Sequence, residues 1–393
     1  MDWKGVFPQP VGILPYPFNF LILPYSERWK NCINSVLLLK FDDIPPEWDF
    51  LPAVKNGLWE TAFRKLSDLQ EDDLKNYNLS LLTGERRKIR DQVLEYMLNI
   101  AFFKDFDIKD TGRDDLNALI LYSKAQTFEE QGKTEDALSL LESALKLVKS
   151  ISPIFEALIL FKKTKLLIEH RGVSYAAVML FEELQRKLSD TGADYLKAEI
   201  SFNLGNAYSS LGNLTNAVKY YWEALEFFTY EKNPYMYALI NNNMGLAHLS
   251  VGAVDLEDQV RLAYGVQCLK KALKVFTKNA YPKEWASTTM NYANALQYLP
   301  TGDPVKNLLK ALDLYREVLD HRMKMGDEVG CARTLANMGN ALAHLGKLSE
   351  AKEHLIKALE IFKKYGMEEE ISGILDILEE IDTLMEVRND GRS

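Results

Sequence analysis

Along the second half of this chain, apolar positions recur at helical spacing in paired segments, each pair broken by a glycine. Between Lys197 and Tyr230, Gly205 and Ala207 sit in a first segment, and Gly212 and Asn213 interrupt it. Ala217, Tyr221 and Ala224 follow at offsets that share one face of a second helix. Small residues at such slots let two helices cross closely, and the aromatic fills the space between neighbouring pairs. The alternation returns over Asp115 to Ser150, with Ala125, Ala137 and Ala144 in the small slots and Gly132 at the turn. Ala332 to Tyr365 repeats it with Gly339, Ala351 and Ala358 around Gly346. A degenerate copy over Pro153 to Ser189 keeps Gly172, Ala177 and Phe181 but has Lys165 in the first small slot. The pattern predicts an all-α chain of tandem helix pairs.

An asparagine opens the same phrase in four of the first helices. Asn203-Leu204-Gly205-Asn206-Ala207 is echoed at Asn243-Met244-Gly245-Leu246-Ala247, at Asn291-Tyr292-Ala293-Asn294-Ala295 and at Asn337-Met338-Gly339-Asn340-Ala341. The first asparagines lie 40, 48 and 46 residues apart, a period that denotes stacked repeats. The two middle copies are long. In one, Gly245 opens and Ala272 closes the pattern, and Gly252 to Tyr264 is expected to stretch the turn. In the next, Ala293 and Ala311 are eighteen residues apart, and Leu299-Pro300-Thr301-Gly302-Asp303 fills the gap. Pro234 and Pro282, each nine residues before its asparagine, suit the first position of a helix.

These pairs resemble the tetratricopeptide repeat, a 34-residue helix-turn-helix unit. With Ala198 as its first residue, that family's three small slots hold Gly205, Ala217 and Ala224. The entry Pro282-Lys283-Glu284-Trp285-Ala286 and the Leu-Pro-Thr-Gly-Asp insert look like a long bacterial subclass related to kinesin light chain repeats. That subclass often accompanies caspase-like protease domains, and none is expected in the remaining segments. The resemblance covers roughly residues 115 to 365 and implies a right-handed superhelix, an α-solenoid of helix-turn-helix pairs. Domain organisation is then residues 1–110 as an N-terminal proline/aromatic arm and helical cap, 111–366 as the repeats, and 367–393 as a capping helix and short tail. A solenoid needs such a cap because its last apolar face has no following repeat. Glu368 to Val387 supplies it, with Ile371, Ile374, Leu375, Leu378, Ile381 and Leu384 expected toward the stack. In the N-terminal part, Trp59, Ala62, Leu66 and Leu69 line one predicted helix, and a second lies near Leu74 to Leu82. A long third is expected from Glu85 to Phe103, carrying Ile89, Val93, Met97 and Ile100.

Composition is that of an ordinary folded chain: 393 residues, 47% apolar, 26% charged, net charge −9. The acidic balance argues against nucleic acid as a partner. Cys32, Cys268 and Cys331 are widely spaced and odd in number, which suits reduced buried thiols and a cytoplasmic location. No run of about 18 apolar residues exists for a membrane span. Val6 to Tyr25 is the most apolar stretch, but its five prolines predict an extended arm, over the first helices or toward a partner, rather than a signal peptide.

No phosphate loop, nucleophile elbow or zinc-protease pair is present. The five histidines are scattered, and His248 stands in the slot of Tyr208, as a packed side chain would. Arg333 lies close to Cys331 and would lower its pKa if the two met, though a buried structural cysteine is the expectation. Arg86-Arg87-Lys88-Ile89-Arg90 reads as a solvated basic face. No catalytic set, cofactor or metal site is expected.

The resemblance places the first helix of each pair on the concave side of the superhelix. It also puts Asn203, Asn206, Asn243, Asn291, Asn294, Asn337 and Asn340 toward that groove, with Leu246 as a missing rung. A carboxamide donates and accepts at once, which matches the main chain of an extended peptide. Phe202, Met290 and Tyr298 would add apolar contact and Arg333 positive charge, with Lys162 and Lys163 toward the other end. The alternative is that the amides bond adjacent helices and set their register. The chain reads as a non-catalytic scaffold for a protein or peptide partner. A bacterial signalling-peptide receptor and a companion subunit of a separately encoded protease are the other readings.

Overall fold

The computed structural model describes residues 5–8, 20–28, 32, 35, 36, 38, 40–70, 72–103, 106–149, 153–250, 256–299 and 303–390. Helix follows helix along the chain, as the periodicity predicts. The helices divide into two compact units, residues 1–207 and 208–393.

In the first unit the chain opens with two short strands, β1 (Gly5–Pro8) and β2 (Ile22–Pro24), paired antiparallel. The all-α expectation did not include this ribbon. Its prolines sit at strand ends, where a missing N–H costs least. Residues 9–19 of the predicted arm lie outside the described residues. Next come α1 (Leu51–Lys55), α2 (Trp59–Ser67), α3 (Asp73–Thr83) and α4 (Gln92–Phe102). Ala62 and Leu66 are buried as expected, but Trp59 is largely exposed. The long helix expected from Glu85 does not form: residues 85–91 are irregular and α4 starts at Gln92. The cause is Asp91, whose carboxylate accepts from Val93 N (2.9 Å) and Leu94 N (3.1 Å) and so caps a new helix. Asp73 meanwhile holds Arg90 N and Asp91 N at 3.0 and 2.8 Å.

Asn78, buried in α3, is the anchor of the ribbon. Its Oδ1 accepts from Ile22 N (3.1 Å) and its Nδ2 donates to Ile22 O (2.7 Å). Tyr77 donates to Phe20 O (2.8 Å), and Trp48 Nε1 donates to Pro24 O (2.7 Å). The outer backbone of β2 is thus paired by side chains, and Leu21, Ile22 and Leu23 become fully buried. Helix pairs follow: α5 (Asp114–Glu130) with α6 (Thr134–Val148), then α7 (Pro153–Arg171) with α8 (Tyr175–Lys187). The degenerate copy therefore folds as a pair despite Lys165. The division between units falls inside α9 (Asp194–Ser210).

The second unit holds α10 (Leu214–Phe227), α11 (Pro234–Leu249), α12 (Leu256–Leu273), α13 (Pro282–Tyr298), α14 (Pro304–Met325), α15 (Glu328–His344), α16 (Leu348–Lys364) and α17 (Glu368–Asp390). The predicted proline starts at 234 and 282 are both observed. The extra length of the two long copies is mostly helix rather than loop. Residues 256–264, expected in a stretched turn, belong to α12, and α14 begins at Pro304, seven residues before Ala311. Residues 251–255 and 300–302 lie outside the described residues. Gly346, at φ 72°, makes the left-handed turn between α15 and α16 that a side chain resists.

Pairing depends on near-contact of backbones. A Cβ on Gly245 would stand 3.1 Å from Gly265 O, and one on Gly265 would stand 3.0 Å from Gly245 O. One core then runs from Val266 to Ile381, with Tyr292, Tyr315 and Phe362 between successive layers. Helix α17 closes it through Ile374 and Ile381, with Ile371, Ile377, Leu378 and Met385 alongside. Leu375 and Leu384 are exposed, contrary to expectation. The face of α17 is turned so that Ile377 and Met385 pack in their place.

Two substitutions test these contacts. A Cβ at buried Gly339 would meet Leu355 Cγ at 2.6 Å, so Gly339→Val should cost about 1–3 kcal/mol in urea unfolding. Asn78→Leu leaves Ile22 N–H and C=O buried without partners and should cost a similar 1–3 kcal/mol, roughly.

Candidate functional site

The first helices α11, α13 and α15 of the second unit carry the asparagine phrases in matching register. Along α13, Asn291, Asn294 and Tyr298 follow at offsets of three and four, one stripe of the helix. Arg333, Asn337, Asn340 and His344 form the matching stripe on α15, and Asn243 and Leu246 on α11. The five asparagines are half-buried, while Leu246, Tyr298 and Arg333 are exposed.

Polar contacts tie the stripes together. Asn242 Nδ2 donates to Asn243 Oδ1 (3.1 Å), and Asn291 Nδ2 donates to Asn242 Oδ1 (3.4 Å), which links α11 to α13. Asn340 Nδ2 reaches the Tyr298 hydroxyl at 3.5 Å, and the Tyr298 ring meets His344 edge-on at 6.3 Å. Asn294 turns toward the paired helix instead: its Oδ1 accepts from the buried Tyr315 hydroxyl, which also accepts from Gln297 Nε2 (2.6 Å). Burial pushes the Tyr315 phenol above its ordinary value, which keeps it a donor. Asn337 has no hydrogen-bond partner among the described residues. Arg333 pairs with Glu370 of α17 at 3.1 Å.

Met290 lies partly buried beneath this face. Its sulfur is 3.6 Å from Arg322 Nη1 and 3.9 Å from Thr334 Oγ1. Arg322 is buried and donates to Gly330 O (2.7 Å) and Thr334 Oγ1 (3.3 Å), so it joins the end of α14 to the start of α15. Cys331 is not activated. Burial, aided by the Asp327 carboxylate, pushes its thiol up, and Arg333 is engaged elsewhere.

In the first unit, Phe202, Asn203 and Asn206 lie half-buried on α9, and Asn203 Nδ2 bonds its own helix at Glu199 O (2.8 Å). Lys162 and Lys163 form ion pairs with Glu129 and Glu142, so the positive charge expected of them is matched locally. His248 is partly buried against Tyr264, and burial lowers its pKa.

Three participants were not foreseen. Asn242 was visible as the middle of an Asn-Asn-Asn run. Gly265 was obscured by the uneven length of its repeat. Arg322 sits among exposed charges of α14, and nothing in the sequence distinguishes it. Among the described residues, no helix is long and apolar enough to cross a membrane.

Models of the tetratricopeptide repeat match residues 198–227 and 305–364. Neither describes a catalytic family. No curated protein matches the chain. Among solved structures, a signal transduction ATPase with numerous domains from Pyrococcus horikoshii, bearing a tetratricopeptide repeat sensor, aligns with a TM-score of 0.57 at 12% identity. That alignment covers 88% of this chain and 50% of the ATPase, so this chain spans about half of its length. The apo form of RapI aligns at 13% identity and TM-score 0.49, covering 68% of this chain and 98% of its own. A Rap protein complexed with Competence and Sporulation Factor gives 14% and 0.47, over 90% and 98%. Helix pairs, small slots and family matches agree: the chain carries tetratricopeptide repeats, matched over residues 198–227 and 305–364.

Proposed function

We propose that this chain is a non-catalytic scaffold that holds an extended peptide segment against the first-helix face of α11, α13 and α15. The observation that carries the reading is the row of half-buried carboxamides with unspent hydrogen-bonding capacity. Each carboxamide has two donors and an acceptor oxygen with two lone pairs. Asn291 commits one N–H at 3.4 Å, Asn340 one at 3.5 Å, and Asn337 none among the described residues. These bonds are long, and exchanging them for a peptide backbone loses little. The Asn242–Asn291 and Tyr298–Asn340 contacts also fit the register role, and one amide can serve both.

The chain offers its own precedent. Asn78 grips both polar groups of Ile22, an extended residue lying across a helix, in the way proposed for the face asparagines. Exposed Tyr298 and Leu246 would supply apolar contact beside the amides. Arg333 is exposed and its partner Glu370 is replaceable by a ligand carboxylate, since such surface pairs contribute little. The buried, unpaired cysteines suit a reducing, cytoplasmic setting.

Asn337→Ala should leave the unfolding midpoint unchanged and remove a discrete set of proteins from those captured in native extract, identified by mass spectrometry. Unchanged capture with a large loss of stability would sink the groove reading in favour of register alone. For the absence of a catalytic thiol, Cys331 should react slowly with a thiol reagent at neutral pH. Burial disfavours the thiolate, so its reaction should rise only above the pH at which a free cysteine titrates.

A further inference from the structure

The second helices of the second unit carry a lysine strip that neither the asparagine face nor the repeat core uses. Lys270 of α12 and Lys310 of α14 belong to different helix pairs, yet both end beside the Tyr292 ring of α13. Their Nζ atoms lie 5.8 and 5.5 Å from its centre. Lys310 Nζ also donates to the Tyr292 hydroxyl at 3.2 Å. Lys271 instead lies 5.7 Å from the ring of Trp222 on α10. Lys274 and Lys306 each stand one helical turn from Lys270 and Lys310. The ring contacts thus carry one strip of positive charge across α10, α12 and α14.

Among the described residues, none of these lysines forms an ion pair, in a chain whose net charge is −9. Carboxylates on the same helices are engaged elsewhere. Asp313 pairs with Arg316 at 2.8 Å, Glu317 with Lys278 at 3.7 Å and Glu223 with Lys219 at 3.8 Å. Glu226, exposed one turn from Trp222, is the opposing charge. Ammonium groups gathered on ring faces without carboxylates repel one another, and an anionic surface relieves that repulsion. The strip also exposes apolar side chains: Trp222 at 52%, Val305 at 55% and Leu309 at 50%. Val305 adjoins Lys306, and Leu309 adjoins Lys310. An indole and aliphatic groups among lysines suit the boundary of headgroups and acyl chains, where aromatic rings and snorkelling ammoniums collect. Nucleic acid fits less well. One exposed ring is no platform for successive bases, and the unpaired cations are point charges without arginine's planar fork.

We infer that this strip docks the second unit on an anionic membrane surface, with the five lysines meeting headgroups and Trp222 seated at the interface. The inference does not rest on the peptide-scaffold reading. The test is flotation of the full chain with vesicles of equal parts phosphatidylcholine and phosphatidylglycerol, and with vesicles of phosphatidylcholine alone. The expected result is binding to the anionic vesicles at least about tenfold tighter than to the neutral ones, weakening as salt is raised. Lys274→Gln combined with Lys306→Gln leaves the ring contacts in place. It should weaken binding at least about tenfold, since each lysine near such a surface contributes about fivefold. The unfolding midpoint should not move. Trp222→Ser should weaken binding at least about threefold. Equal flotation with neutral vesicles, or unchanged flotation of either variant, overturns the proposal. So does tighter binding of oligothymidylate or of polyglutamate than of the anionic vesicles, which would assign the strip to nucleic acid or to an acidic protein. Asn337→Ala should leave flotation unchanged, whatever it does to partner capture.

Discussion

Close approach of paired helices is the constraint on which this protein depends. Where Gly245 and Gly265 cross, each backbone oxygen lies where the other residue's Cβ would nearly touch it. At Gly339 even one methyl would press into Leu355. Such crossings hold the two helices of a pair at a set depth, and aromatic side chains such as Tyr315 and Phe362 then fill the layers between pairs. Because this depth is fixed at one slot per helix, the residues before and after it face fixed directions. Asn291 and Asn337 stand two residues before Ala293 and Gly339, and so recur on one face. The polar row is a consequence of the crossing geometry.

That geometry also explains what could be read from the chain and what could not. Ala and Gly slots, proline starts and the asparagine period are local in sequence, so the tandem helix pairs were predictable from them. The same holds for Pro234 and Pro282, which mark their helices directly. Asp91 is different: its cap competes with helical continuation from Glu85, and apolar spacing at Ile89 and Val93 does not record that competition. The ribbon of β1 and β2 was illegible because its stability comes from Asn78 and Tyr77, more than fifty residues away. On α17, spacing alone could not decide between Leu375 and Ile377, since the helix stripe is wider than the surface it covers. At the candidate site the asparagines were visible by register. Their partners Asn242 and Tyr315 depend on side-chain direction, which spacing does not specify.

The choice between holding helices and holding a ligand is narrower than it first looks. Asn294 is committed to Tyr315, a buried hydroxyl with its own second partner, and contributes mainly to joining α13 with α14. Asn291 and Asn340 make one long bond each to the neighbouring first helix, and Asn337 makes none among the described residues. The row is therefore graded rather than uniform. Its most engaged member binds within a repeat, and its least engaged members face the surface between repeats. A peptide would compete only with the weakest of these contacts.

Arg322 shows a harder compromise at the joint between repeats. Its Nη1 reaches Gly330 O, Thr334 Oγ1 and Met290 Sδ, thereby tying α14, α15 and α13 together. A neutral residue of similar reach could not make those three contacts, so the joint takes a charge into a partly desolvated position. Burial lowers the pKa of the guanidinium, and Asp327 opposes that effect from 3.7 Å without fully offsetting it. Moving Asp327 closer would disturb its cap on Gly330, because one carboxylate would then serve two donors in different directions. The joint thus settles with a cation that is structurally engaged on one edge and undersatisfied on the other.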